Sequence, residues 1–173
     1  MEALGAGDQG AFEALYERYR SVVFSFLARL AGDAQTGEDL LQETFLRVYR
    51  FRGRYRASGQ FKAWLFTIAR NAALEHLRRR GAAWEDPLEG AEEPVALQRT
   101  EHQAEARELL GRLERALDAL PPGQREIVLL SRVAGMDAPD IAAVVGSSPG
   151  AVRVALHRAL RRLSSVIREG ARE

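Results

Sequence analysis

The chain has 173 residues, 46% of them hydrophobic and 28% charged, with no cysteine and a net charge of +1. That length suits one domain or two small ones, the apolar share excludes disorder throughout, and the missing thiols exclude disulfides and thiolate metal sites. The start, Met1-Glu2-Ala3-Leu4-Gly5, has no basic residue and no apolar run, and no stretch approaches the roughly 18 apolar residues of a membrane helix. Neither a signal peptide nor membrane insertion is expected, and a cytoplasmic protein is.

Helical periodicity dominates and no convincing alternating run occurs, which predicts an all-α fold. From Asp8 as N-cap, Phe12, Leu15, Tyr16, Tyr19, Val22, Val23, Phe26, Leu27 and Leu30 recur at three- and four-residue steps until Gly32-Asp33. A second helix is expected from Thr36, whose hydroxyl can cap it. Glu38 and Asp39 then stand in its first turn, and Leu40, Leu41, Phe45, Val48 and Tyr49 form the buried stripe. Residues 52–59 break the pattern as a basic loop. A third helix is expected over 61–80, with Trp64, Leu65, Ile68, Ala72 and Leu77 inward.

Residues 81–98 hold Pro87, Gly90 and Pro94, five acids and no base, and read as a flexible acidic linker. It divides the chain into two small helical domains, 1–80 and 99–173. Helices are expected in the second at about 99–119, 122–133, 138–145 and 149–168. Either domain is small for an independent core, so help from partners is expected.

Charge is distributed in blocks. Residues 1–46 balance at −5, whereas residues 47–80 hold nine Arg and Lys62 against Glu75 alone, a balance of +9. The window 151–168 has five Arg and no acid. Such blocks suggest one face for a basic partner and others for nucleic acid, against the plainer reading of solvated helix faces.

The C-terminal half carries a helix-turn-helix pattern from Asp137 to Leu156. Asp137 can cap a short helix with Pro139 in its first turn, where a missing amide hydrogen costs little. Ile141, Ala142 and Val145 supply an apolar face, and Gly146 suits a left-handed exit from the helix. Ser148 and Pro149 restart a helix as N-cap and first residue, with Val152 and Leu156 toward the core and Arg153, His157 and Arg158 outward. Such a second helix enters the major groove, its side chains meeting base edges and its arginines and amides meeting phosphates. A helix hairpin used only for packing is the bland alternative.

The first half adds Gly37-Glu-Asp-Leu-Leu-Gln-Glu-Thr-Phe-Leu-Arg-Val-Tyr49, and Phe61-Lys-Ala-Trp-Leu-Phe-Thr-Ile-Ala-Arg-Asn71 running on to Arg78-Arg79-Arg80. With Ala119-Leu-Pro-Pro-Gly-Gln-Arg-Glu126 ahead of the helix-turn-helix, these segments resemble the ECF (extracytoplasmic-function, group 4) sigma factors of RNA polymerase. The resemblance covers about residues 8–80 and 107–168.

It implies that domain 1–80 is sigma region 2 and domain 99–173 sigma region 4. The helix bearing Asp39, Gln42, Glu43 and Arg47 would grip the coiled coil of the largest polymerase subunit. Loop 52–60 would capture a base flipped out of the minus-ten element, with Arg54, Tyr55, Arg56 and Phe61 around it. The following helix would read the promoter through Lys62, Arg70, Asn71, Arg78, Arg79 and Arg80. Trp64, sharing a face with Leu65 and Ile68, reads as core before base wedge. In region 4 the resemblance implies minus-thirty-five contacts from Ser148, Gly150, Ala151, Arg153, Val154, His157, Arg158 and Arg161, and a seat on the flap of the second-largest subunit. The acidic linker would thread the RNA exit path. An anti-sigma factor is an expected further partner, and the holoenzyme would be associated with the nucleoid.

Members of the family commonly have Thr, Ser and Arg where this chain has Ala151, Val154 and Ala155. Ala and Val can touch thymine methyl groups, but hydrogen-bonded readout is reduced there. Asp137 and Asp140 replace the usual Ser and Glu with similar cap chemistry. His76, His102 and His157 are scattered, and neither a phosphate loop nor a serine-nucleophile motif occurs, so no catalytic residue, metal or cofactor is expected. Two alternatives stay open: a sigma mimic that sequesters an anti-sigma factor, and a stand-alone helix-turn-helix regulator.

Overall fold

A computed structural model of the chain describes residues 9–55, 61–81 and 106–169, with side chains described for 10–55, 61–81 and 111–165. Asp8, Arg56 and the linker expectation for 82–98 lie outside the described residues.

Two helices, α1 (Gln9–Ala31) and α2 (Ala34–Phe51), form a hairpin. The turn works because Gly32 takes φ +87°, where a side chain would be strained, and its amide donates to the Ala28 carbonyl. Asp33, not Thr36, is the N-cap of α2. Asp33 is extended and its Oδ1 accepts from the Thr36 amide at 2.7 Å, which places Thr36 inside the first turn. That hydrogen bond holds the Asp33 carboxyl below its ordinary range. One turn on, a Cβ at Gly37 would lie 2.7 Å from Ala28 Cα, so α1 and α2 meet almost backbone to backbone. Tyr49 departs from the expected inward stripe and is 47% exposed, with Phe12 edge-on to it and Arg52 over its ring.

After a 3-10 turn at Arg52–Arg54, α3 (Phe61–Arg79) packs against both helices of the hairpin. Its buried face is Ala63, Leu65, Phe66, Ala69, Ala72 and Ala73. The expected residues Trp64, Ile68 and Leu77 are only half-buried, whereas Leu65 and Ala72 are buried as expected and Phe66 joins them with the alanines at 63, 69 and 73.

The C-terminal half comprises α4 (Ala106–Asp118), α5 (Pro122–Arg132), α6 (Ala138–Val145) and α7 (Pro149–Glu169). The expected caps are present: Asp137 Oδ1 accepts from the Asp140 amide at 2.9 Å, Gly146 is left-handed at φ +72°, and Ser148 Oγ accepts from the Ala151 amide at 3.2 Å. In α6, Val144 is buried and Val145 half-buried; in α7, Val152, Ala155, Ala159 and Leu163 form the inward stripe, with Leu156 half-buried beside it.

The all-α, two-part architecture is thus as expected, and no strand occurs among the described residues. The core is distributed differently from two separate modules. A cluster that includes Val23, Phe26, Phe45 and Phe66 continues without a break into Ile127, Leu130, Met136, Ile141 and Val144. A smaller cluster, Ala116, Leu117, Leu120, Val128, Ala159 and Leu163, holds α4 and α5 against α7. Helix α5 is buried nearly all round because it lies between α7 on one side and α1 on the other. No helix among the described residues is long and apolar enough to cross a membrane.

Candidate polymerase and nucleic-acid interfaces

One turn after the next, the outer face of α2 presents Asp39, Gln42, Glu43 and Leu46, all exposed, with Leu46 at 62%. Leu40, Leu41, Thr44, Phe45 and Val48 face inward at the complementary positions, so the helix is held rigidly by one side and offers the other. Acids flanking an exposed leucine suit a basic partner with an apolar contact at its centre. Arg47, expected on this surface, is engaged within the fold. Its guanidinium donates to Glu43 on the same helix at 2.7 Å and, bidentately, to Glu75 on α3. The pairing raises the Arg47 pKa and holds Glu75 below its usual range. Arg47 therefore ties α2 to α3 and orients Glu43.

At the start of α3 four aromatic rings interlock. Tyr55 lies 5.8 Å from Phe61 and 5.2 Å from Trp64, and Tyr19 lies 5.4 Å from Phe61. All four rings are half-buried, an arrangement that leaves aromatic edges and faces at the surface. Arg54 stands exposed beside them, its guanidinium over the Phe51 ring.

Farther along α3 the expected promoter-facing residues separate into two groups. Asn71, Arg78, Arg79 and Arg80 are exposed. Lys62 and Arg70 point instead at the C-terminal half: Lys62 Nζ donates to the Gly135 carbonyl at 3.2 Å, and Arg70 Nε to Glu126 Oε1 at 2.5 Å.

On α7, Ser148, Gly150, Arg153, Val154, His157, Arg158 and Arg161 are exposed and Ala151 is half-buried, forming a single basic stripe interrupted by Val154. Ala155 is 5% exposed and belongs to the core, so it does not mark a position where DNA readout has been given up. A longer polar side chain there would have to displace the packing under α7. Among the described residues no group of His, Asp or Glu could hold a metal ion.

An exposed acidic face, an aromatic corner beside a basic helix, and a capped helix-turn-helix thus occur in one chain in that order. Residues 15–83 match the Sigma-70 region 2 family and residues 110–163 the Sigma-70 region 4 family. The chain is similar to the RNA polymerase sigma factor CarQ of Myxococcus xanthus, 40% identical over 98% of this chain and 96% of that protein. It is similar also to the ECF sigma factor SigD of Mycobacterium tuberculosis, 34% identical over 94% of this chain and 79% of that one. The chain belongs to the ECF sigma factors.

Among solved structures, the sigma factor RpoE of Bartonella quintana, in complex with the anti-sigma factor NepR, superimposes with a TM-score of 0.72 and 26% identity. The superposition covers 91% of this chain and 97% of that one, so both halves of the sigma factor are included. Two participants in the geometry of this sigma factor are absent from the residues expected on sequence grounds. Leu46, inside the Gly37–Tyr49 motif, shares the exposed acidic face, and its position three and four residues from Glu43 and Gln42 is the signal that discloses it. Glu126, inside the Pro-Pro-Gly-Gln-Arg-Glu segment, pairs with Arg70, and no local signal marks a partner 56 residues away.

Proposed function

We propose that this ECF sigma factor, of the group 4 type, directs RNA polymerase core to specific promoters and promotes strand opening. Region 2, residues 1–80, docks on the coiled coil of the largest subunit through Asp39, Gln42 and Glu43, together with Leu46, while Arg47 braces that surface. The aromatic corner of Tyr55 and Phe61, with Arg54 and Arg56, receives an unstacked base of the minus-ten element. Such capture offsets the few kcal/mol that extruding a base costs. Lys62, Arg70, Asn71 and Arg78–Arg80 follow the backbone. Region 4, residues 99–173, sets the outward stripe of α7 into the minus-thirty-five major groove and rests on the flap. Residues 81–98 link the two along the RNA exit path. The core enzyme carries the chemistry, the sigma factor none, and the setting is the cytoplasm, at the nucleoid when in holoenzyme.

The observation that carries this reading is the coexistence of the exposed Asp39–Leu46 stripe with the capped, basic α7 in one chain. Run-off transcription with purified core on a promoter panel tests it: promoter-specific transcripts are expected, and failure to associate with core overturns it. Replacing Asp39 and Glu43 is expected to abolish core binding and leave intrinsic DNA affinity in place. An anti-sigma factor is a further proposed partner, supported by the agreement of both halves with a sigma factor held by one. The engagement of Lys62 and Arg70 within the fold favours a second reading, a mimic that binds core or anti-sigma factor without opening DNA. Core binding without strand opening in the same assay would select it.

A further inference from the structure

Among the described residues of α7, Val152, Ala155, Ala159 and Leu163 are buried and Leu156 and Leu160 half-buried, whereas Val154 is 51% exposed. Val154 stands within the basic stripe, with Arg153 beside it and His157 and Arg158 one turn on. Toward the start of the helix its neighbours are small. Helical side chains lean toward the N-terminus, so Val154 lies over Gly150 and Ala151. Beyond its own turn of helix, a Cβ added at Gly150 would meet only Ser148 Oγ, at 3.9 Å, so nothing inside the protein requires glycine there. Valine has one strongly preferred rotamer in a helix, and the buried residues beneath hold α7 in place. The isopropyl group is therefore presented to the outside at a fixed point.

We propose that Val154 is a specificity-determining residue, whose isopropyl group packs on the C5-methyl of a thymine in the major groove of the upstream promoter element. The proposal deepens the reading of α7 as the minus-thirty-five helix and rests on it. The floor of the major groove offers hydrogen-bond donors and acceptors at every base pair, and the thymine methyl is its one apolar group. Packing on that methyl removes apolar surface of both partners from water. Against a G·C pair the same isopropyl group would strip water from a donor or acceptor and give no bond in return, which costs affinity. Val154 thus selects for thymine and against its competitors with one contact.

The surrounding residues fit that task. Arg153, Arg158 and Arg161, all exposed, supply the charge that takes phosphates and holds α7 in the groove. A helix-turn-helix reads base edges with residues near the start of its second helix, and there Gly150 and Ala151 let the backbone come close. A bulky side chain at position 150 would hold the helix off and carry Val154 out of reach of the methyl. The ring of cations also decides the kind of partner, since an apolar group among arginines matches a methyl within a phosphate-lined groove better than it matches a protein surface.

The test offers holoenzyme, reconstituted from the full chain and core polymerase, a library of promoters with a randomised upstream element. Wild type is expected to fix thymine at one upstream position, and V154S, altered at an exposed site, to keep its stability and leave that position free. Replacing this thymine by deoxyuridine removes the methyl alone, and wild-type affinity should fall about three- to fivefold, the worth of one buried methyl. V154S should bind the two duplexes alike. At the same position 5-methylcytosine should bind wild type more tightly than cytosine, by about the same three- to fivefold. G150L should lose the discrimination as V154S does, without loss of thermal stability, because open space surrounds that position. Equal wild-type affinity for thymine and deoxyuridine overturns the proposal, and so does a V154S that keeps the difference. A V154S that loses core affinity while selecting the same upstream sites also overturns it, in favour of a protein contact. If wild type selects no upstream position at all, the minus-thirty-five reading of α7 falls and this proposal with it.

Discussion

Helices α3 and α7 are both rich in arginine, and both are expected to meet DNA, yet they are covered differently. On α7 the stripe from Arg153 to Arg161 points into solvent, supported from beneath by Val152, Ala155, Ala159 and Leu163. On α3 the exposed arginines are confined to the C-terminal turn, and Arg70 is locked against a fully buried carboxylate. Equal charge therefore does not mean equal availability. A basic helix is free to take phosphate only where no acid of the same chain reaches it first. Here the proposed reader of duplex DNA is uncovered along its length, whereas the helix beside the proposed strand-opening corner is uncovered only at Asn71 and at its C-terminal end.

The largest effect should come from R70A. Loss of the Arg70 guanidinium from beside the buried Glu126 should destabilise the contact between the halves by up to about 3–5 kcal/mol, which the chain can relieve by parting them or by protonating the carboxylate. A single thermal transition is expected to divide into two, which calorimetry would reveal. Next, G37A inserts a methyl group 2.7 Å from the Ala28 backbone, so the α1–α2 hairpin must open, at about 1–3 kcal/mol in a denaturant titration. The triple variant R78A/R79A/R80A addresses the uncovered end of α3. Promoter affinity should fall, and the slope of log affinity against log salt should flatten by about 0.9 for each phosphate no longer neutralised, with core affinity unchanged.

D33A removes the α2 cap and should cost about 1 kcal/mol at neutral pH. Because the folded Asp33 pKa is depressed from its ordinary 3.8, the cap's contribution is present above that value and disappears as pH falls through the lower folded value. The stability gap between D33A and wild type should accordingly close below about pH 4, as acid titration of the two proteins would show. The smallest effect belongs to R158A, which alters an exposed side chain and should leave stability within about 0.5 kcal/mol while weakening upstream-element binding.

The legible parts are those whose physics is local. Asp137, Gly146 and Ser148 announce their caps and turn through their immediate neighbours, and the structure has each where the pattern puts it. The cap of α2 falls on Asp33 where the pattern points to Thr36, because both are cap-forming types and only the backbone, extended at Asp33, chooses between them. On α3 the bulky residues dominate the periodicity, while the alanines at 63, 69, 72 and 73 decide which face comes close. Ala155 reads as a depleted contact for the same reason, since a small residue shows its role only when its neighbours are known. Glu126 beside Ile-Val-Leu-Leu is a visible oddity, but its partner lies across the fold and no spacing rule connects them.

Because the hydrophobic interior passes continuously from Phe66 to Ile127 and Ile141, adhesion between the halves does not depend on the peptide chain that joins them. A single peptide-bond break between Gly81 and Ala106 should therefore yield two fragments that elute together.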